Sequence, residues 1–283
     1  MRFSIITDEI AQDLERALRV CRELGVSTVE LRSIDGQNIV FHDESSLQRI
    51  RALLIEGGFR VGVIASPFLK SHFWGKYPYA RAEQPVSDFD TQERQWEILE
   101  RSFALARFFD TRLVRTFSFW RLAHPDLVRD ELLAILSEAV ERTEKAGLKL
   151  VLENEHACIL ATGAEVDWFL QRIPSQAFGV IWDPGNEAFA GSRPFPDGYR
   201  HVRGRVAHVH LKDVDGGQRR FVKMGTGIID YAGQLRALAE DGYDGLLSLE
   251  THYKHPEGGA EQATRESFAA LRMLAGRAGV DIA

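Results

Sequence analysis

The sequence predicts an α/β fold consisting of a single (β/α)8 barrel, a TIM barrel, over residues 1–283. Three observations support this prediction. Short β-branched or aliphatic runs alternate with longer amphipathic segments, eight such runs occur, and no Pro/Gly/Ser linker separates the chain into halves. Parallel strands joined by helical crossovers form either an open sheet or a closed barrel, and eight repeats favour closure.

The eight predicted strands are short runs rich in Val, Ile, Leu and Thr. They cover residues 3–7, 28–32, 60–65, 112–117, 149–154, 178–183, 206–212 and 245–250. The amphipathic segments between them predict helices. These cover residues 13–24, 45–56, 91–108, 125–146, 164–173, 231–241 and 261–278. Gly25, Gly57, Gly147 and Gly242 are expected to end four of these helices, because a left-handed glycine commonly closes a helix before the next strand.

One long segment, 67–90, lacks a clear period and follows the third predicted strand. It contains Phe68, Phe73, Trp74, Tyr77, Tyr79 and Phe89. Long loops in compact domains are usually functional, and aromatic residues are equally enriched in subunit interfaces. The segment is therefore expected to be either a lid over the barrel mouth or an interface in a homo-oligomer.

Composition disfavours several classes of partner, although it leaves room for a local basic cleft. The formal net charge is -6, so no general basic field attracts nucleic acid or an anionic membrane. The two cysteines, Cys21 and Cys158, are too few for a disulfide framework, which favours a cytoplasmic location. The first residues reach Asp8 without the apolar stretch of a signal peptide or membrane span. A small-molecule substrate is the expected partner.

Strand parity selects the side chains that point into the barrel mouth, because alternate residues of a barrel strand face inward. In the seventh strand Val209 and Leu211 face the helices, which turns His208, His210 and Lys212 inward. The last inward residue of the fifth, sixth and eighth strands is acidic in each case. These residues are Glu153, Asp183 and Glu250.

Three carboxylates and an imidazole in one mouth would repel one another unless a cation lay among them. Any one of the carboxylates taken alone is equally well explained as a helix cap or an ion-pair partner. Their joint occurrence at four strand ends indicates one divalent metal ion, for which Mn, Mg, Co and Zn are all compatible with oxygen and nitrogen ligands. Because these ligands bind metal only when deprotonated, affinity is expected to fall on acidification.

Five short motifs resemble the xylose-isomerase-like barrel superfamily of sugar phosphate isomerases and epimerases, over essentially the whole chain. They are Leu152-Glu153-Asn154-Glu155-His156, Trp182-Asp183-Pro184-Gly185-Asn186, His208-Val209-His210-Leu211-Lys212-Asp213, Gly225-Thr226-Gly227 with Ile229-Asp230, and Ser248-Leu249-Glu250. The resemblance implies metal ligands at Glu153, Asp183, His210 and Glu250. It selects His210 over His208 as the ligand. In that family the ligand histidine is followed by an aliphatic, a polar and an acidic residue, as in His210-Leu211-Lys212-Asp213.

The resemblance also implies a reaction. In such enzymes the metal binds the oxygens of an α-hydroxy carbonyl, and a carboxylate removes the proton between them. Glu153 and Glu250 are the matching acid/base pair. Other inward or neighbouring groups are expected to contact a sugar or polyol. They are Glu30, Arg32, Arg115, His156, Asn186, His208 and Lys212. An internal ion pair is the alternative for Arg115, and a supporting or core position is the alternative for His208.

Two departures leave the reaction open. Asn186 stands where the related ketose 3-epimerases have a histidine, and their arginine after the metal histidine has no counterpart before Arg219 and Arg220. A dehydratase of a cyclic keto-polyol of the inosose type is therefore the main alternative. Related apurinic endonucleases use extra histidines where this chain has Ser66, Thr116 or Phe117, and Asn186, which disfavours DNA repair. A non-catalytic sugar-binding barrel is a further alternative.

Overall fold

The computed structural model describes residues 1–74 and 89–282, in which eight parallel strands close into a barrel. The strands are β1 Arg2–Ile6, β2 Thr28–Leu31, β3 Arg60–Ile64, β4 Leu113–Thr116, β5 Lys149–Glu153, β6 Phe178–Trp182, β7 Val206–Leu211 and β8 Leu246–Leu249. Strand β1 pairs with both β2 and β8, which closes the barrel. The predicted fold class is confirmed.

Helices follow the strands and cover the outer face of the barrel. They are α1 Leu14–Glu23, α2 Glu44–Gly57, α3 Gln92–Phe108, α4 Arg129–Lys145, α5 Gly163–Arg172, α6 Pro184–Phe189, α7 Tyr199–Val202, α8 Tyr231–Glu240 and α9 Gly259–Ala278. The predicted helix 125–146 begins as a 3-10 turn, Pro125–Val128, before α4. Helices α6 and α7 were not predicted, because each is too short to show a 3.6-residue period.

The glycine stops are correct at three of the four predicted positions. Gly25, Gly147 and Gly242 have positive φ. Gly57 is instead the last residue of α2, and the next residue, Gly58, adopts the left-handed conformation with φ 71°. Two consecutive glycines occur there, and the sequence alone does not show which one ends the helix.

The barrel has an aliphatic outer layer and a polar interior. Outward residues such as Val209 and Leu211 are fully buried beneath the helices, and so is Trp182, whose indole N–H donates to Gln234 Oε1 at 2.8 Å. Several polar side chains of the interior are fully buried beneath the mouth. They include Ser4, Glu30, His208 and Ser248. The interior therefore supplies hydrogen-bonding groups beneath the mouth.

A hairpin after β7 contributes to the mouth. Asp213–Val214 pairs with Phe221–Val222 in antiparallel fashion. Asp213 Oδ2 accepts hydrogen bonds at 2.9 Å from the backbone N–H groups of Gly225 and Gly227, which anchors the Gly-Thr-Gly motif. A Cβ at Gly227 would lie 2.1 Å from Asp213 Oδ1, so a side chain would displace this anchor.

The segment 67–90 is described only at its two ends. Phe68 and Phe73 are fully buried, and the carbonyl groups of Phe68 and Leu69 accept from the backbone N–H groups of Phe117 and Phe119. These two aromatic residues belong to the core rather than to a binding surface, which corrects the expectation for them. Tyr77 and Tyr79 lie outside the described residues, so the lid and the interface remain alternative predictions.

No helix in the described ranges is long and apolar enough to cross a membrane. The two cysteines are both buried and unpaired, as expected from their number.

Candidate metal centre

Four side chains meet where β5, β6, β7 and β8 end. Glu153 is the last residue of β5, Asp183 and Glu250 follow β6 and β8 directly, and His210 lies in β7. One donor atom from each of the four lies within 4.8 Å of the others, and all four residues are buried. The structure thus brings together the four residues named from strand parity and motif resemblance.

The two nitrogens of the His210 ring face different partners: Nε2 faces Glu30, and Nδ1 faces the three carboxylates. Its Nε2 lies 3.1 Å from both oxygens of Glu30, a carboxylate that accepts hydrogen bonds. Its Nδ1 is buried with no hydrogen-bond partner among the described residues. That atom lies 3.4 Å from Glu153 Oε1, 3.6 Å from Glu250 Oε2 and 4.0 Å from Asp183 Oδ2.

With a proton on Nε2, the neutral ring directs the lone pair of Nδ1 at three carboxylate oxygens, which is unfavourable unless a cation lies between them. Burial opposes a charge on the ring, but Glu30 and Glu153 hold the pKa of His210 well above its usual range. Either a second proton or a metal ion can occupy the space in front of Nδ1. The donor set of one imidazole and three carboxylates fits a divalent ion.

Lys212 supplies one positive charge to the same group. Its Nζ lies 2.7 Å from Asp183 Oδ2 and contacts Glu250 Oε2. Burial, followed by Glu250 and Glu153, nevertheless raises the pKa of Asp183 to about 6. Lys212 alone therefore does not offset the effect that burial and the two neighbouring glutamates have on Asp183.

Asn186 joins two of the four donors. Its side-chain amide donates to Glu153 Oε1 at 3.2 Å and to Asp183 Oδ2 at 3.0 Å. Asp183 is also the N-cap of α6, because its Oδ1 accepts from the Asn186 backbone N–H at 2.8 Å. Gly185 is required between them, since a Cβ there would lie 2.4 Å from Lys212 Cγ. The Asp-Pro-Gly-Asn motif thus positions one donor and braces a second.

Two arginines hold the outer oxygens of the glutamates. Arg115 Nη1 donates to Glu153 Oε2 at 3.1 Å, and its other nitrogens donate to the carbonyls of Ala65 and Ser66. The buried guanidinium thus forms the internal ion pair that was the alternative for Arg115, and its contact with a substrate stays a prediction. Arg32 Nη1 lies 2.6 Å from Glu250 Oε1, and the same guanidinium also pairs with Asp8 and Glu9.

Glu30 and His208 lie one inward layer below the donor group. Glu30 Oε2 is 2.9 Å from His208 Nε2, and both residues are fully buried. Despite burial, His210 and His208 hold the pKa of Glu30 well below its usual range. The hydrogen bonds of Glu30 are directed at the two imidazoles, and its contact with a substrate hydroxyl stays a prediction.

An aromatic row crosses the mouth beside the donor group. The rings of His156 and Phe189 are 4.3 Å apart, Phe189 and Phe221 are 4.9 Å apart, and Phe221 and His252 are 4.9 Å apart. His156 Nδ1 also lies 2.9 Å from Asn186 Oδ1. The row therefore connects the β5 side of the mouth with the β8 side.

His252 was missed in the sequence. Its Nε2 lies 3.1 Å from Glu250 Oε1, and its backbone N–H donates to Glu9 Oε2 at 2.9 Å. It adopts a positive φ of 46°, which is uncommon for a residue other than glycine. The histidine lies just beyond the strand, where parity no longer applies, but its spacing of two residues from Glu250 was a usable signal.

The sequence matches the family described as Xylose isomerase-like TIM barrel over residues 18–274. The chain belongs to this family. The resemblance inferred from the five motifs is thereby confirmed.

Two curated relatives match part of the chain. The rhizopine catabolism protein MocC of Rhizobium meliloti is 31% identical over 132 residues, which cover 41% of this chain and 40% of that protein. Inosose dehydratase of Lacticaseibacillus casei is 24% identical over 127 residues, which cover 39% of this chain and 42% of that protein. The matched stretch thus spans about two fifths of the length of these relatives.

Two solved structures share the fold over nearly the whole chain. A D-tagatose 3-epimerase-like protein has a TM-score of 0.75 and 19% identity, covering 99% of this chain and 98% of that one. The IOLI protein with a bound zinc atom has a TM-score of 0.73 and 17% identity, again covering 99% and 98%. Structural neighbours of the family therefore include epimerase-like and zinc-bound proteins.

Proposed function

We propose that this protein is a divalent-metal-dependent isomerase or epimerase that moves a proton next to the carbonyl of a sugar or polyol. The convergence of Glu153, Asp183, His210 and Glu250 carries the proposal, because their donor atoms lie within 4.8 Å of one another in a buried mouth. The unpartnered Nδ1 of His210 supports it. The named relatives and neighbours support the class of substrate.

These four residues are the proposed metal ligands. When bound, the divalent ion supplies Lewis acidity that polarises a substrate carbonyl and acidifies the adjacent C–H. Glu30 acts as a positioning residue, because a carboxylate on Nε2 fixes the tautomer and the orientation of His210. His208 shares that carboxylate and serves the same purpose.

Glu153 and Glu250 are the proposed proton-transfer residues. Each exposes one oxygen to the donor group while the other oxygen is held by an arginine, Arg115 or Arg32. This bracing fixes the carboxylates without filling the space between them, as catalysis by a positioned base requires. Lys212, Asn186 and His156 remain the proposed contacts for substrate hydroxyls.

The aromatic row supports a carbohydrate substrate. A sugar ring presents C–H groups on its faces, and the partly exposed, mutually stacked rings of Phe189 and Phe221 form an apolar wall beside the polar donors. Ligand sites commonly combine such a surface with a few convergent polar groups.

Dehydration is the second candidate reaction. A leaving hydroxyl needs a proton, and the His252 imidazole at the mouth, 3.1 Å from Glu250 Oε1, is placed to hold one. The match to inosose dehydratase supports this reading. Isomerisation and dehydration begin with the same proton abstraction. The identity of the product therefore decides between the two reactions.

Solvent exchange tests the proposal. The protein, supplied with Mn²⁺, Mg²⁺, Co²⁺ or Zn²⁺, is incubated in D₂O with ketoses, aldoses, inosose-type ketones and their phosphates. We expect deuterium beside the carbonyl of at least one compound, and mass analysis of the product separates an isomer from a dehydrated compound. Exchange that is equal in the Glu153→Gln and wild-type proteins would contradict the proposal, as would substrate binding with no exchange and no conversion.

A further inference from the structure

A cavity of about 760 Å³ opens beside the donor group and is strongly basic. Phe221 and His252 form its inner wall, and these residues contact Lys212 and Glu250 respectively. Four cationic side chains also line it, and no described lining residue is acidic. The four are Arg219, Arg220, Lys223 and Lys254. This sign of charge is unexpected in a chain with a net charge of -6.

Two of the four cations are neutralised within the protein. Arg220 Nε lies 3.5 Å from Asp215 Oδ2, and Lys223 Nζ lies 3.8 Å from Glu266 Oε2. Arg219 and Lys254 form no ion pair with any residue in the ranges 1–74 and 89–282. The uncompensated positive charge of the cavity therefore comes from Arg219 and Lys254.

Arg219 lies in the turn of the hairpin, with its guanidinium close to Gly191. Its φ of 48° is uncommon for a residue with a side chain, and such backbone conformations concentrate at functional sites. A Cβ at Gly191 would lie 3.2 Å from Arg219 Nη2, so the guanidinium passes close to the backbone after α6. Arg219 also lines a second cavity, of about 350 Å³, together with His156 and Phe189. The guanidinium thus lies between two cavities that share the aromatic row.

We propose that the substrate carries an anionic group, a carboxylate or a phosphate monoester, which binds in this cavity to Arg219 and Lys254 while its carbonyl end lies at the donor group. Only the placement of the carbonyl end at the donor group rests on the proposed function. A cavity lined by one sign of charge concentrates ligands of the opposite sign, and a guanidinium binds carboxylate and phosphate oxygens in the same bidentate geometry. A neutral sugar forms no ion pair with these two cations.

Binding of three polyols that differ only at one end tests the inference. The probes are D-glucitol, D-gluconate and D-glucitol 1-phosphate, measured by calorimetry at low ionic strength with the full chain, with and without Mn²⁺. We expect at least one acid to bind about tenfold more tightly than D-glucitol, because charge-assisted hydrogen bonds are stronger than neutral ones. The acid that binds more tightly identifies the anionic group as a carboxylate or a phosphate.

Two double variants locate the effect. Arg219→Gln/Lys254→Gln is expected to remove the preference for the acids. Arg2→Gln/Arg60→Gln removes the same net charge from a cavity at the opposite end of the barrel and is expected to retain that preference. Equal binding of all three polyols by the wild type would overturn the inference. Equal losses in both double variants would overturn it too, because they would indicate a general charge effect.

A preference that appears only with Mn²⁺ and persists in Arg219→Gln/Lys254→Gln would place the anion on the metal and also overturn the inference. Because none of the probes has an aldehyde or ketone group, these measurements do not depend on turnover. Anion selectivity without any solvent exchange would contradict the proposed reaction and leave the binding site intact.

Discussion

Glu153 and Glu250 face each other across the donor group in different electrostatic surroundings. Glu250 is contacted by Arg32, Lys212 and His252. Glu153 is contacted by a single arginine, Arg115, and by the neutral amide of Asn186. Both are buried, so the difference lies in the number of positive groups rather than in exposure.

This difference changes the basicity of the two carboxylates. Burial alone would raise both pKa values. Lys212 and His252 hold the pKa of Glu250 well below its usual range, whereas His210 and Arg115 lower that of Glu153 less strongly. A carboxylate with a very low pKa is a weak base and a firm anionic ligand. We therefore expect Glu153 to be the stronger proton acceptor of the two proton-transfer residues and Glu250 the weaker.

The largest expected effect comes from replacing the stronger base. Glu153→Gln keeps an oxygen for the metal and loses the base, so turnover and deuterium exchange should fall by about 10²–10⁴-fold. Glu250→Gln should lower exchange less and weaken metal binding more. Exchange rates and metal content are measured in parallel on both variants. A larger loss of exchange in Glu250→Gln at equal metal content would reverse the assignment, and near-normal rates in both variants would refute it.

The pH dependence of metal binding tests the imidazole that both glutamates share. Burial opposes protonation, but Glu30 and Glu153 hold the pKa of His210 well above its usual range. A metal ion must therefore displace a proton at neutral pH, and its affinity should rise with pH. We expect the apparent dissociation constant to increase by about tenfold per pH unit from about pH 7 to pH 5. Competition with a chelating dye measures it, and pH-independent affinity would remove His210 from the ligand set.

Glu30 offers a smaller test of how the donor group is oriented. Glu30→Gln retains the size of the side chain and removes the charge that fixes both imidazoles. Metal affinity should fall by about 10–100-fold, as is usual when a residue supporting a ligand is lost. His208→Gln is the matched control, because it leaves Glu30 paired with His210, and it should have a weaker effect. Unchanged affinity in both variants would show that Glu30 does not support the site.

Glu187 shows what happens to a buried carboxylate that lacks a cation. It accepts from the Gly163 backbone N–H at 2.7 Å, and burial raises its pKa to about 7, with no ion pair to a described residue. The protonated form is favoured on folding, so this stability is present below about pH 4.5 and is lost as pH rises through about 7. Relative to Glu187→Gln, the wild type should lose about 1–2 kcal/mol of unfolding free energy across that interval.

Denaturant unfolding of both proteins at several pH values measures this loss. Parallel stability curves for the two proteins would show that Glu187 remains ionised despite its burial. That result would weaken the argument that the basicity of Glu153 and Glu250 depends on their positive neighbours.

Strand periodicity was sufficient to predict the barrel and the inward direction of Glu153, Asp183, His210 and Glu250. It was sufficient because all four lie on or directly beside a strand, where the side-chain alternation is fixed. It did not determine the partners of Arg115 or Glu30, since both meet residues distant in the chain. It also missed the aromatic row, which depends on a hairpin and a short helix with no clear period. Strand parity thus predicts whether a side chain points into the barrel. Contacts between residues of different loops are known only once the fold is known.

Anomalous scattering from crystals grown with Mn²⁺ tests the metal centre most directly. The account predicts one strong peak within about 2.0–2.4 Å of His210 Nδ1 and of carboxylate oxygens from Glu153, Asp183 and Glu250. Among the described residues, two other groups of potential ligands lie nearby, Glu30 with His208 and His210, and Glu9 with Glu250 and His252. A fully occupied peak at either of these groups, or no peak at the four predicted donors, would contradict the account.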